Sequence, residues 1–449
     1  MRRHSLVGPF VLILIGLLFL FRNLHPEWIS FELITRYWPF LLVAWGLLRL
    51  IEVFIWHFST KPISGGGVSG GEWVLIVFIC AIGSLAFLIH GRFPSWAPIV
   101  SIGRSAELFG EAFDYPIAEQ RRPASAPLIV VENLRGNTRI VGADTQEVKV
   151  TGRKTVRAYG QSQADEANRR TPIEILAQGG QIQIRTNQER AGGQQRVSAD
   201  IELTVPRGSS IQASGRYGDF DIINLQGAVE VKSDNAGVRL QNIGGKVRVD
   251  TRRSDIVRAV NVKDSVEILG NGRDVELENV EGGVTVNGYY SGDIQFRNLA
   301  KGLLFQSGAT ELRFERLPGQ LEMDLSKISV SNVVGPLRLS ARTKDVEITD
   351  LSGELQATVD RGDVSLVNKL PPTAKIDITT RNGDVDLTLP ANAKFEMSGT
   401  TDSGQVTSAF GDSVRITTEG RGATLKGSTG GGPQIIVHSD RGQLALHKR

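Results

Sequence analysis

The 449-residue chain holds one cysteine, three methionines and six histidines, and its formal charge is only +3. One cysteine cannot close an internal disulfide, and Cys80 lies in an apolar run, where a thiol acts as a small hydrophobe. His4, His25, His57 and His90 lie in or beside apolar segments near the N-terminus, while His438 and His447 stand near the C-terminus with no Cys partner. A zinc cluster or a Cys-His nucleophile needs several such groups brought together, so neither is expected. Blocks of like charge are missing too, which removes the compositional basis for a nucleic-acid surface. The stretch SGGGVSGG (64–71) lacks the Lys and Ser/Thr of a phosphate loop and reads as a flexible connector. No catalytic residue, metal or cofactor is expected.

Long apolar runs are present, but only at the front. LVGPFVLILIGLLFLF (6–21), WPFLLVAWGLLRLIEVFIW (38–56) and WVLIVFICAIGSLAFLI (73–89) are each close to the length of a membrane-crossing helix. All six Trp fall in this region, most at the ends of the runs, as in an interfacial belt. The first run follows Arg2 and Arg3 like a signal peptide, yet FRNLHPEW stands where a small-residue cleavage site should be, which favours an uncleaved anchor. The lipid bilayer is therefore an expected partner. Arg49 and Glu52 interrupt the second run at i, i+3 spacing and can pair on one helix face; a functional intramembrane pair and simple snorkelling both fit. Arg2 and Arg3 hold the N-terminus in the cytoplasm, so three crossings place the rest outside; Lys61 falls on the same side as Arg2 and Arg3, while Arg22, Arg36, Arg92 and Arg104 on the other side pull against this. The expected division is a transmembrane region (1–91), a Pro-containing juxtamembrane linker (92–127) and a β-rich domain (128–449).

That β-rich domain repeats itself. Apolar residues recur at Phe220, Val238, Val257, Val275, Ile294, Leu312, Ile328, Val346 and Val364, at intervals of 16 to 19 with a mean of 18. Two places on, each repeat is apolar again, and a second alternating column starts nine residues later at Val229, Val247, Val266, Val284, Leu303, Leu321, Leu337 and Leu355. Two short strands per repeat, each with one buried face, follow from this pattern. Such a pair has too little apolar surface to offset its backbone entropy of about 1 to 2 kcal/mol per residue. Stacked on neighbours it gains a hydrogen-bond ladder and a shared core, so the expectation is a parallel β-helix (β-solenoid), most regular over 218–370. Residues 162–170 are expected to form a short helix, 173–184 followed by 200–206 hairpin strands, and 383–389, 415–418, 434–437 and 443–446 further strands.

Four places after the first apolar residue stand Asn224, Asn242, Asn261, Asn279, Asn298, Arg316, Asn332, Asp350 and Asn368. Asn is depleted in strands, so the column needs a cause. Strand parity starts these side chains on the inner face, where amides stacked one above another can bond as a ladder. The alternative is an outward Asn that permits a tight turn. Arg316 breaks the column and precedes the 16-residue interval, which predicts an irregular coil there. Arg361-Gly362-Asp363 spells a tripeptide read by cell-surface receptors, but Tyr217-Gly218-Asp219 and Ser291-Gly292-Asp293 occupy the same repeat position, so a Gly turn into a strand explains it. Polysaccharide-cleaving β-helices build clefts from long inserts, and intervals of 16 to 19 leave no room for them over 220–364.

The segment 128–449, with its x-Gly-Asp-Val strand starts, TLPANAKFEMSGTTDSGQV and STGGGPQIIVHSDRGQLAL, resembles the bacterial putative-adhesin family of unknown function, a β-solenoid domain. GPFVLILIGLLFLFRNL and WPFLLVAWGLLRL resemble the transmembrane region of LiaI/LiaF-like envelope-stress proteins. The first resemblance implies a scaffold or adhesive role, the second membrane stress sensing or regulation of a protein partner in the membrane or envelope. Neither brings catalytic residues. The expectation is a bacterial multi-pass cytoplasmic-membrane protein presenting a non-catalytic solenoid outside; an adhesive or structural binding module is the alternative, and a polysaccharide-acting enzyme the third.

Overall fold

Strict alternation of buried and exposed residues runs through the computed structural model, which describes residues 110–124, 127–192 and 196–449. The three apolar runs and the Arg49/Glu52 pair lie outside the described residues. Among those described, no helix is long and apolar enough to cross a membrane. They form 31 strands joined in one continuous sheet, with a single α-helix, Gln161–Arg170.

Two strands make each coil. Phe220–Leu225, Val238–Ile243 and the second half of Val247–Val262 stack in parallel, with Phe220, Val238 and Val257 in register. Ser210–Tyr217, Val229–Asn235 and the first half of Val247–Val262 form the second column, with Ile211, Val229 and Val247 in register. The inward residues of both columns, such as Ile222, Leu240, Leu277 and Val286, are at most 2% exposed and belong to one core running from Ile129 to Leu446. Each such Leu or Ile contributes about 1.5 to 3 kcal/mol through burial, which two five-residue strands alone could not accumulate.

The corner after each first-column strand turns on one backbone angle. Asn224, Asn242, Asn261, Asn279, Asn298, Asn332 and Asp350 all have φ between 50° and 60°. This left-handed conformation suits Asn and Asp better than other side chains. It also corrects the expected inward start: the side chains turn out to half-exposed or exposed positions, while the next residue re-enters the core. Leu225, Ile243, Val262, Val280 and Leu299 are each at most 1% exposed as a result.

One coil departs from the expected parallel winding. Leu303–Ser307 returns through Thr310–Phe314 as an antiparallel hairpin, and Leu317–Met323 lies antiparallel to both Ile294–Leu299 and Lys327–Val334. The chain thus lays a single coil backwards and then resumes its original direction, with Lys327–Val334 parallel to Asp345–Ser352. Reversal exchanges the columns assigned from sequence. Leu312 faces Phe305 and Leu339 in the second column, and Leu321 faces Phe296 and Val330 in the first. Arg316 stands outside the strands in an isolated bridge to Val334.

Both ends are closed by antiparallel strands. At the front, Arg196–Pro206 pairs with Glu147–Ala158, which pairs with Glu111–Pro123. The expected linker therefore contains a strand, whose Pro116, Pro123, Arg121 and Arg122 blunt the outer edge. The helix covers this end through a small separate core of Val156, Ala158, Ala164, Ala167, Ala191 and Val197. At the back, the C-terminal strands Gln434–Arg441 and Leu444–Lys448 are inserted between the coil of Ile376–Asn382 and Val385–Leu389 and the coil of Glu396–Thr401 and Val406–Ser408. The cover consists of Gly422–Ser428 and Val414–Glu419, which continue antiparallel from Glu396–Thr401.

Candidate functional site

The Asn corners of the first five regular coils come together as one row. Asn242 Nδ2 donates to Asn224 Oδ1 at 2.9 Å, Asn261 to Asn242 at 2.9 Å, Asn279 to Asn261 at 2.9 Å and Asn298 to Asn279 at 2.8 Å. The left-handed backbone makes each corner, and the 18- and 19-residue spacing makes the corners neighbours. Ladder and turn, weighed as alternatives in the sequence, are both present in this row.

A primary amide carries two N–H donors and two acceptor lone pairs. Each inner rung uses one donor and one acceptor within the ladder, and among the described residues no other group takes the remainder. These half-used amides line a groove of about 560 Å³. A second wall is made by the residue two places after each Asn, running through Gln226, Gly244, Lys263, Glu281 and Ala300, and Arg207 also lines the groove. Arg207 is paired with Asp144 at 3.4 Å. Lys263 and Glu281 are exposed and enter no ion pair among the described residues. Sequence reasoning placed the Asn column but missed this wall, because its residue types share nothing except position.

The later members of the column do other things. Asn332 keeps the turn, with φ 57°, but Pro318 and Gly319 of the backward coil separate it from Asn298. Asp350 accepts the Lys369 backbone N–H at 3.0 Å and its ammonium at 2.6 Å, and this cation holds the carboxyl below its usual range. Asn368 is 2% exposed, lies outside the left-handed region, and bonds the Leu351 backbone through both amide atoms.

The Gly-Asp strand starts form a second structural row. Asp363 N–H donates to Asp345 Oδ1 at 3.0 Å, and Asp363 Oδ1 accepts the Asp384 N–H at 2.8 Å. Gly362 has φ 140°, and a β-carbon there would lie 2.1 Å from the Lys344 carbonyl oxygen. Arg361-Gly362-Asp363 is thus built into the stacking of coils. At the back of the solenoid, Asp402, His438 and Asp440 bring their ligating atoms within 4.8 Å of one another. His438 Nε2 is 3.1 Å from Asp440, and its Nδ1 is 2.9 Å from Thr400 Oγ1. The sequence shows this cluster only once the C-terminal strand is known to lie beside 396–401.

A family model described as Toastrack DUF4097 matches residues 129–447, which takes in the coils of the solenoid and leaves out the front-cap strand Glu111–Pro123. The chain belongs to the Toastrack DUF4097 family. In front of the Toastrack domain, a model described as the LiaI-LiaF-like transmembrane region matches residues 6–50, covering the first apolar run and most of the second. The Toastrack solenoid is therefore carried by a membrane-associated chain. No curated protein matches it. Among solved structures, one described as a "putative cell adhesion protein" from Clostridium sporogenes is 11% identical, covering 75% of this chain and 100% of that one at a TM-score of 0.20.

Proposed function

We propose that this protein is a non-catalytic, multi-pass component of the bacterial cell envelope that regulates a membrane signalling partner under envelope stress and presents its Toastrack domain outside the cytoplasmic membrane. The observation that carries the reading is the LiaI-LiaF-like transmembrane region at residues 6–50, joined to a solenoid by one chain. Partner contact inside a bilayer relies on packing and polar contacts between particular helix faces, and Arg49 with Glu52 supplies polar groups for such a face. The solenoid supports a binding role rather than a reaction: over Phe220–Val367 the coils follow one another without inserted loops that could close a cleft.

The test is a transcript profile under a cell-wall antibiotic, comparing wild type, a deletion, and a variant with residues 1–91 replaced by an unrelated anchor. The stress response should be lost in both altered strains. No difference between wild type and deletion overturns the regulatory reading, and surface binding that survives the anchor swap then establishes the adhesive module in its place. A reporter enzyme active only outside the membrane, fused after Arg449, should be active; activity from a cytoplasmic reporter alone reverses the topology.

A further inference from the structure

We propose that the groove beside the Asn ladder binds a linear neutral glycan lying along the solenoid axis. The ladder supplies one unused N–H and one unused carbonyl lone pair at each inner rung, repeated at the coil spacing of about 4.8 Å. A sugar hydroxyl both donates and accepts, so a chain of sugar rings offers the matching pair at every step. Other linear polymers match less well. A polyanion would meet the carbonyl oxygens and the unpaired Glu281 carboxylate, against one unpaired cation, Lys263. A peptide strand would need a free sheet edge, whereas the strands flanking the groove are hydrogen-bonded to coils on both sides.

The ladder also fixes the amides before any ligand arrives. Each side chain is held by its neighbours, so little rotamer freedom is lost on binding. Gly244 leaves the second of the five lining positions beside the ladder without a side chain, and Lys263 and Glu281 follow it as a donor and an acceptor with no ion-pair partner among the described residues. The site has a defined length. It starts at Asn224 and ends at Asn298, where Pro318 and Gly319 of the backward coil take the place of a sixth Asn. Four coil steps set this length at about 19 Å.

The inference names a ligand class for the envelope protein proposed above and rests on that reading for a polymer within reach. Its test is independent of the transcript experiment. Full-length protein in lipid nanodiscs, which carry no sugar headgroups, is titrated with β-linked glucose and N-acetylglucosamine oligomers of two to six units by calorimetry. Affinity should rise with oligomer length and level off once the five rungs are spanned. Asn261→Gly keeps the corner conformation and removes a rung, and should weaken binding at least tenfold. Lys263→Ala with Glu281→Ala, both exposed and outside the ladder, should weaken it by a similar factor without changing the melting temperature. Asn332→Gly, at the equivalent corner beyond the groove, should bind as wild type. Absence of binding by every oligomer, equal binding by all variants, or preference for polyphosphate over the neutral glycans overturns the proposal. In each of those cases the transcript result stands or falls separately.

Discussion

The corners at Asn224 to Asn298 and those at Asn332 to Asn368 occupy the same repeat position but do different work. In the first group every Asn is left-handed and every neighbouring pair is bonded through its amides. In the second, Asn332 makes the turn without a rung, Asp350 makes it while binding Lys369, and Asn368 abandons it to bond buried backbone. The turn is thus the primary reason for the residue type. The ladder is an additional gain, available only where consecutive coils run parallel and carry the same residue. The backward coil at Thr310–Met323 is the boundary between the two regimes.

Removing residues 434–449 should have the largest effect on this comparison. Those strands lie inside the stack and hydrogen-bond to coils on both sides, so their loss separates Ile376–Leu389 from Glu396–Ser408. In a solenoid each coil depends chiefly on its neighbours. Hydrogen exchange should show loss of protection over 376–408 while the ladder coils, 220–299, remain protected. Loss of protection throughout would mean that the two regimes fold as one unit and that the backward coil is no boundary.

Next in size is a charge placed in the ladder coils. Leu277 is fully buried, so Leu277→Asp strands a carboxylate in the core and should cost about 3 to 5 kcal/mol. Its neighbour Glu276 points outward and pairs with Arg258 at 3.2 Å, an exposed bridge whose loss in Glu276→Gln should cost under about 1 kcal/mol. Urea midpoints of the two full-length variants read the difference directly, and equal losses would contradict the inward and outward assignment.

Glycine and alanine at matched corners then divide ladder from turn. Asn279→Gly retains the left-handed backbone and removes two amide bonds, which should cost about 1 kcal/mol given that the freed groups reach water. Asn332→Gly has no rung to lose and should stay within about 0.5 kcal/mol. Alanine should add about 1 kcal/mol at both positions, because a β-carbon resists φ > 0 wherever it stands. If the glycine variants at 279 and 332 melt alike, the ladder contributes nothing measurable.

Much of this was legible in the sequence because period-2 burial and the recurring corner are local signals. Phe220, Val238, Val257 and Val275 are stacked as the 18- and 19-residue spacing requires, and the helix at Gln161–Arg170 lies where its composition put it. Direction was not legible. An alternating strand buries the same residues whether it runs up or down the stack, so Leu312 and Leu321 fit the expected columns while belonging to the opposite ones. The facing of the Asn column failed for a related reason: parity predicts orientation only while the backbone stays extended, and one left-handed residue resets it. The groove and the Asp402, His438 and Asp440 cluster depend on which coils are neighbours, which spacing alone does not fix at the back of the domain.

The last expected effect lies at the front cap, outside both regimes, and is a change of slope with pH. Lys154 is 5% exposed, and its ammonium donates to the Asn168 carbonyl and side chain at 3.2 and 3.0 Å and to the Thr171 carbonyl, at the end of the helix Gln161–Arg170. Burial pushes its pKa down from 10.5 to about 8. Below that value the amine is protonated whether the chain is folded or unfolded, and it adds no pH dependence. Between about 8 and about 10.5 the unfolded chain keeps a proton that the folded chain has released, so stability rises with pH across that window. Lys154→Met fills the same space without a titrating group and should remove this part of the slope. Urea midpoints at pH 7.5, 9 and 10 should therefore climb more steeply in wild type than in the variant, all other titrating groups being common to both. Parallel midpoints would show that Lys154 releases no proton on folding, and that its three acceptors fully offset the cost of burying the charge.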